Sequence, residues 1–202
     1  MTVLPPLYGL VLAGGTSRRM GRDKATLDYS GRTQIGAAHA LLSRHCERAF
    51  VSVRADQVSE PERAALPQIV DGAVGSGPIA GIAAAQAAHP AAAWLVVACD
   101  LPFLGDATLE HLVARRGSAA ITAFRSAHDG LPEPLCAIYE PGTRDPLLEA
   151  ISQGRLCPRK FIVASSVPLL EQPDPAALDN VNTPEEYAAA AAARRAQGDA
   201  PA

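Results

Sequence analysis

Aromatic side chains are scarce in this sequence, at 4% of 202 residues. A core built with so few of them must rely on Val, Leu, Ile and Ala. Positive charge is not in excess either. Lys and Arg number 18 against 21 Asp and Glu, a net charge of -3. That balance removes any general attraction to nucleic acid or to an anionic membrane, so an anionic ligand must be held by local positive groups. The four cysteines, Cys46, Cys99, Cys136 and Cys157, include no C-x-x-C pair. His45 beside Cys46 is an isolated pair, not the pattern of a metal site. Free thiols in a reducing cytoplasm are expected. No segment approaches the roughly 18 consecutive apolar residues of a membrane span, and the first ten residues carry no basic n-region. A cytoplasmic protein outside the membrane is therefore expected. No internal repeat or long linker divides the chain, which reads as a single domain over residues 1–202. Its core is expected over about residues 8–194, followed by a small, polar, frayed tail.

What is present is a globular composition, 48% hydrophobic and 19% charged. Short apolar runs alternate with helical patterns. Strands are expected at Tyr8 to Ala13, Ala49 to Val53, Gln68 to Val70, Trp94 to Ala98, Ala119 to Phe124 and Leu135 to Tyr139. A further short strand is expected near Phe161 to Val163. Helices are expected over Thr33 to Arg44, Ile79 to Ala88, Asp106 to Arg116 with Asp106 as N-cap, and Thr143 to Gln153. A final helix should begin with Thr183 as N-cap and Pro184 at its first position. Strands alternating with helices predict an α/β fold with a mostly parallel central sheet covered on both faces.

Four segments carry chemistry. The first is L-A-G-G-T-S-R-R-M-G-R-D-K, Leu12 to Lys24. Gly14, Gly15 and Gly21 let backbone N–H groups approach an anion without obstruction by Cβ. Arg18, Arg19, Arg22 and Lys24 add the charge a triphosphate needs. The segment follows a strand, which puts it at the carboxyl edge of the sheet, where ligands bind in open α/β folds. Neither the Walker A spacing nor the dinucleotide G-x-G-x-x-G spacing occurs in it. The second is C-D-L-P, Cys99 to Pro102. Asp100 ends an apolar strand and can hold Mg2+, which commonly takes one or two carboxylates plus substrate phosphates; the competing reading is a turn or helix cap. The third is V-D-G-A-V-G-S-G-P-I-A-G-I, Val70 to Ile82, with Asp71 at a strand end and glycines around a helix start. It reads either as a base or ribose contact or as a plain connection. The fourth is N-V-N-T-P-E-E, Asn180 to Glu186, where Asn182 is either structural or a polar group near a metal.

In this order, the four segments resemble the molybdenum cofactor guanylyltransferase family, within the wider nucleotidyltransferases. The similarity spans about Leu10 to Tyr187. It implies a three-layer Rossmann-like nucleotidyltransferase fold. It also implies that Leu12, Ala13, Gly14 and Gly15 contact the nucleotide, and that Lys24 binds its phosphates. Asp71 is implied to bind the nucleotide, Asp100 both nucleotide and Mg2+, and Asn182 to lie near the substrate phosphate and metal. The implied reaction joins GTP to the molybdopterin form of the cofactor, giving the guanine dinucleotide form and pyrophosphate. The acceptor phosphate attacks the α-phosphorus in line, with Lys24, Arg19 and Asp100 as the catalytic groups and no protein nucleophile. Other cofactor-biosynthesis or molybdoenzyme-maturation proteins are candidate partners. The chain departs from the family pattern in its first segment, where the family often has one more residue between Met20-Gly21 and Asp23-Lys24, at Arg54, where an Asn often stands, and at Leu131 to Tyr139, where some members carry H-P. Three alternatives stay open. One is a cytidylyltransferase on the same cofactor, whose loop usually reads L-A-A-G. The others are a transferase with a different phosphorylated acceptor, and a nucleotide-binding regulator without catalysis.

Overall fold

The structure is a computed structural model, and it describes residues 4–13, 33–72, 77–181 and 183–196. Among the described residues, seven strands form one sheet: β1 (Leu7–Leu12), β2 (Arg48–Arg54), β3 (Gln68–Asp71), β4 (Ala93–Ala98), β5 (Ile121–Arg125), β6 (Pro132–Tyr139) and β7 (Leu169–Leu170). Their order across the sheet is β3-β2-β1-β4-β6-β5-β7. The first four run parallel, β6 is antiparallel to both its neighbours, and β7 is parallel to β5. The expected mostly parallel α/β architecture is therefore observed.

The helices are α1 (Gln34–His45), α2 (Pro61–Ala64), α3 (Pro78–Ala88), α4 (Asp106–Ala114), α5 (Arg144–Ser152), α6 (Pro158–Ala164) and α7 (Pro184–Ala196). Successive strand residues point to opposite faces, so each buried strand feeds two cores. Val11, Val51, Leu95 and Val97 meet Ile35, Leu41 and Leu42 of α1 and Leu109 and Leu112 of α4. Leu10, Phe50, Trp94 and Val96 meet Ile79, Ile82 and Ala85 of α3, with Leu147 of α5 and Phe161 and Ile162 of α6. The chain winds from β1 through β2 to β3, then returns to the other side of β1 as β4. Because crossovers keep one hand, this reversal puts α1 and α3 on opposite faces.

Three of the nine aromatics lie near the starts of strands. Tyr8, Phe50 and Trp94 cluster with His89 at ring separations of 5.3 to 6.2 Å. The Arg48 guanidinium lies 4.9 Å from the Phe50 ring centre. This closes the amino edge of the sheet with bulky packing and leaves the carboxyl edge to polar chemistry.

Two expectations are corrected. Phe161 to Val163 lies in α6, not a strand. Pro158 occupies the first turn, Phe161 and Ile162 turn into the core, and Val163 is 52% exposed. A helix can split three consecutive apolar residues in this way, and the i→i−4 bond from Ser165 N–H to the Phe161 carbonyl fixes it. Asp106 is not the N-cap of α4; Gly105 is. The Asp106 carboxylate instead accepts from Arg44 Nε and Nη2 at 2.9 and 2.8 Å and lies 2.7 Å from His45 Nε2, clamping α4 to the end of α1. These charge-assisted contacts hold the Asp106 carboxyl below its ordinary range, the Arg44 hydrogen bonds contributing most. The expectation for α7 is met: Glu186 N–H donates to Thr183 Oγ1 and Thr183 N–H to the Glu186 carboxylate, both at 3.2 Å, a reciprocal capping box ahead of Pro184.

Candidate functional site at the carboxyl edge

The reversal of winding puts a topological switch point between β1 and β4, at their carboxyl ends. In open α/β sheets this switch point is where ligands bind, because the connections on either side diverge to opposite faces. Leu12 and Ala13 stand on one side of it and Asp100 on the other. The edges are tied together: Cys99 N–H donates to the Leu12 carbonyl at 3.3 Å, extending the β1–β4 ladder past Ala98.

Asp71 ends β3. Its register partner is Arg54, two residues beyond Ser52, which itself faces Leu12. Asp100 likewise lies two residues beyond Ala98, the other partner of Leu12. Asp71 and Asp100 therefore finish the sheet at the same height. Three strand spacings separate them, roughly 14 Å at about 4.8 Å each. Ser52 Oγ donates to Asp71 Oδ2 at 3.4 Å. Burial pushes the Asp71 carboxyl above its ordinary value, opposed by the Ser52 hydrogen bond and the Arg54 charge. The Arg54 fork is engaged by Asp56, with Nε and Nη2 each 2.9 Å from a carboxylate oxygen.

The fourth segment reaches this edge through its backbone. Val181 N–H donates to the Asp100 carbonyl at 3.2 Å, and Val181 packs with Ala190, Ala191 and Phe103. The C-D-L-P-F turn, Val181 and the middle of α7 thus pack together. Leu131 to Tyr139 becomes the end of the β5–β6 turn and β6. Val97 pairs with Cys136, so Glu133 lies on the Asp100 side of the sheet. Arg159 of α6 joins it there, 2.7 Å from Asp129 and 3.4 Å from Glu133.

Of the expected site residues, Leu12, Ala13, Asp71 and Asp100 are brought to this edge. Gly14, Gly15, Arg19, Lys24 and Asn182 lie outside the described residues. Among the described residues, no three His, Cys, Asp or Glu side chains gather as a metal cluster. Asp100 is one carboxylate at this edge, and Mg2+ usually takes one or two carboxylates with substrate phosphates in the rest of its shell. Two cysteine thiols are unsuited as nucleophiles: burial pushes Cys46 and Cys136 up to about 12. Among the described residues, no helix is long and apolar enough to cross a membrane.

Of two further groups near the switch point, Gly81 belongs to the third segment read from the sequence, and Arg63 escapes that reading. Gly81 lies within α3, where a Cβ would come 2.6 Å from Ser52 Oγ and 2.7 Å from Leu12 Cδ2. Its role is close packing of α3 onto β1 and β2. Arg63 of α2 is completely buried and donates from Nη2 to the Ala13 carbonyl at 2.8 Å.

A cationic, glycine-rich sequence after β1 and a carboxylate after β4, astride a switch point, define a nucleotidyltransferase of the α/β class. Residues 9–169 match the family of MobA-like NTP transferase domains, and the chain belongs to that family. It is 37% identical over 183 residues to a molybdenum cofactor biosynthesis bifunctional protein of Synechocystis, covering 90% of this chain and 53% of that protein. The chain thus spans about half the length of that relative. It is 33% identical over 192 residues to a molybdenum cofactor guanylyltransferase of Pseudomonas aeruginosa, covering 91% of this chain and 94% of that one. Among solved structures, molybdopterin-guanine dinucleotide biosynthesis protein A of Archaeoglobus fulgidus superposes with a TM-score of 0.76. It is 27% identical, with 94% of this chain and 99% of that chain covered.

Proposed function

We propose that this protein transfers the guanylyl group of GTP to the molybdopterin form of the molybdenum cofactor, releasing pyrophosphate. The observation that carries the reading is the position of Ala13 and Asp100 on opposite sides of the β1–β4 switch point. The names of the relatives supply the nucleotide and the acceptor. An oxygen of the acceptor phosphate forms the new bond to the α-phosphorus as the bond to the β-phosphate breaks, and both electrons of that bond leave with pyrophosphate. The acceptor is already an anion at neutral pH, so no side chain need remove a proton. Catalysis is then positioning and charge stabilisation.

The roughly 14 Å between the ends of β3 and β4 supports a reading in which the two carboxylates meet different parts of GTP. Asp71 meets the nucleoside end and Asp100 the phosphate end. Lys24 and Arg19 neutralise the departing pyrophosphate. Mg2+ held by Asp100 would supply Lewis-acid stabilisation of phosphate charge, and Asn182 follows the residue whose N–H is bound to Asp100. The acceptor enters from the β6 side, past Glu133. None of the four cysteines is in a disulfide, which suits a reducing, cytoplasmic setting.

The test supplies molybdopterin with each of GTP, CTP, ATP and UTP, with and without Mg2+, and measures pyrophosphate. Release with GTP and Mg2+ alone is expected. Release with CTP alone would reassign the nucleotide. Thermal stabilisation by GTP without pyrophosphate release would reject the transferase reading.

A further inference from the structure

We infer that Arg63 is a positioning residue for the nucleotide, acting through the Ala13 carbonyl without touching the ligand. The inference rests on the proposed binding of GTP at the carboxyl edge. The β1 ladder ends at Leu12, whose carbonyl is taken by Cys99 N–H. Ala13 is 2% exposed, so its carbonyl has passed the last strand donor while still shut off from water. A buried carbonyl in that position needs a donor from elsewhere. Arg63 provides it across 50 residues of sequence, at 2.8 Å.

The arrangement holding Arg63 is itself fixed. Its Nη1 donates to the Glu60 carboxylate. Arg63 N–H and Ala64 N–H both donate to the Glu60 carbonyl, at 2.9 and 2.8 Å, so one turn of α2 carries both halves of the ion pair. A guanidinium with 0% exposure is a costly way to satisfy one carbonyl. A Ser or Asn can make a single neutral hydrogen bond at lower expense. What the guanidinium adds is a rigid planar fork, with one arm on Glu60 and the other on Ala13. It fixes the direction of the peptide from which the chain continues into Gly14 and Gly15. A loop that binds phosphate through backbone N–H groups depends on the direction of that peptide. Arg63 is buried, so it contributes no direct charge contact to a phosphate.

The test compares Arg63→Met, which keeps much of the stem, with Arg63→Lys, which keeps the charge but not the fork. Kd for GTP with Mg2+ is measured well below each protein's unfolding midpoint, alongside urea unfolding. Arg63→Met is expected to weaken GTP binding about 10- to 100-fold, the size of one hydrogen bond from a charged donor. Arg63→Lys should fall between it and the unsubstituted protein. Lower stability with unchanged GTP affinity in both variants would overturn the inference and leave Arg63 a structural residue. If Arg63→Met fails to fold, Arg63→Lys decides: an unchanged Kd overturns the inference, and a weakened one supports it. Failure of the unsubstituted protein to bind GTP would reject the proposed function instead, so the two failures are distinct.

Discussion

Replacing Gly81 with Ala tests how closely α3 is pressed against the carboxyl ends of β1 and β2. Two effects oppose each other. Ala is favoured over Gly in a helix interior by about 1 kcal/mol. Against this, the new methyl would lie 2.7 Å from Leu12 Cδ2 and 2.6 Å from Ser52 Oγ. The first distance is roughly 1 Å inside an ordinary carbon–carbon contact. Leu12 is only half-buried and can give way. Ser52 is 1% exposed and its hydroxyl is committed to Asp71, so it cannot swing aside without breaking that bond. Overpacking of this kind costs about 1–3 kcal/mol. Subtracting the helical gain leaves a net loss of about 1 kcal/mol, or a midpoint lower by about 2–4 °C for a chain of this size. Calorimetry and urea unfolding measure it. A second readout follows from geometry: Asp71 loses its Ser52 contact, so GTP affinity should fall as well. A Gly81→Ala protein stabilised by about 1 kcal/mol, with unchanged affinity for GTP, would show that α3 is not in close contact with β1 and β2.

Asp100→Ala and Lys24→Ala should each lower pyrophosphate release by about 10²- to 10³-fold, as loss of one preorganised electrostatic contact does. Circular dichroism should show the fold intact, and near-normal Mg2+-dependent turnover in either variant would remove that residue from the mechanism. Arg116→Met should be among the most damaging substitutions for stability. Arg116 bonds both Glu140 oxygens at 2.6 and 3.0 Å and the Pro5 carbonyl at 2.8 Å, with side chains 7% and 12% exposed. Breaking one partner of such a pair costs about 3–5 kcal/mol, read from urea unfolding. Asp71→Asn should act in the opposite direction at neutral pH. The folded-state pKa of Asp71 is raised by burial, so its contribution to stability is present below the unfolded value and lost as pH rises through the folded one. The variant should therefore gain on the unsubstituted protein at pH 7 and match it near pH 3, while binding GTP more weakly. An equal difference at both pH values would refute the burial argument.

The parallel half of the sheet was legible because its signal is local. A strand buried on both faces is a continuous apolar run, and W-L-V-V-A reads as β4 to within one residue. The errors fall where local pattern and tertiary demand diverge. F-I-V in α6 has the composition of a strand, and only Pro158 three residues earlier argues for a helix start. The two residues of β7 and the four of α2 are too short for any period to register. Asp106 has the residue type of an N-cap, but the chain enters α4 one residue earlier. The carboxylate is then free to serve Arg44 and His45, more than sixty positions away, a demand no local pattern contains.

The site divides along the same line. Asp100 and Ala13 could be read because each is defined by what precedes it, an apolar strand that stops. Arg63 could not. It sits in S-E-P-E-R-A-A, where Glu and Arg three apart read as a solvated turn, and in most proteins such a pair is exposed and worth little. What makes it different is the Ala13 carbonyl fifty residues earlier, which has left its sheet before reaching water. The need arises in β1 and the answer lies in α2, so neither segment alone announces it. A buried charge in an otherwise polar stretch is therefore best traced by asking which backbone group nearby has outrun its secondary structure. Here that question leads from a surface-like turn directly to the peptide that ends β1, where the proposed nucleotide segment begins.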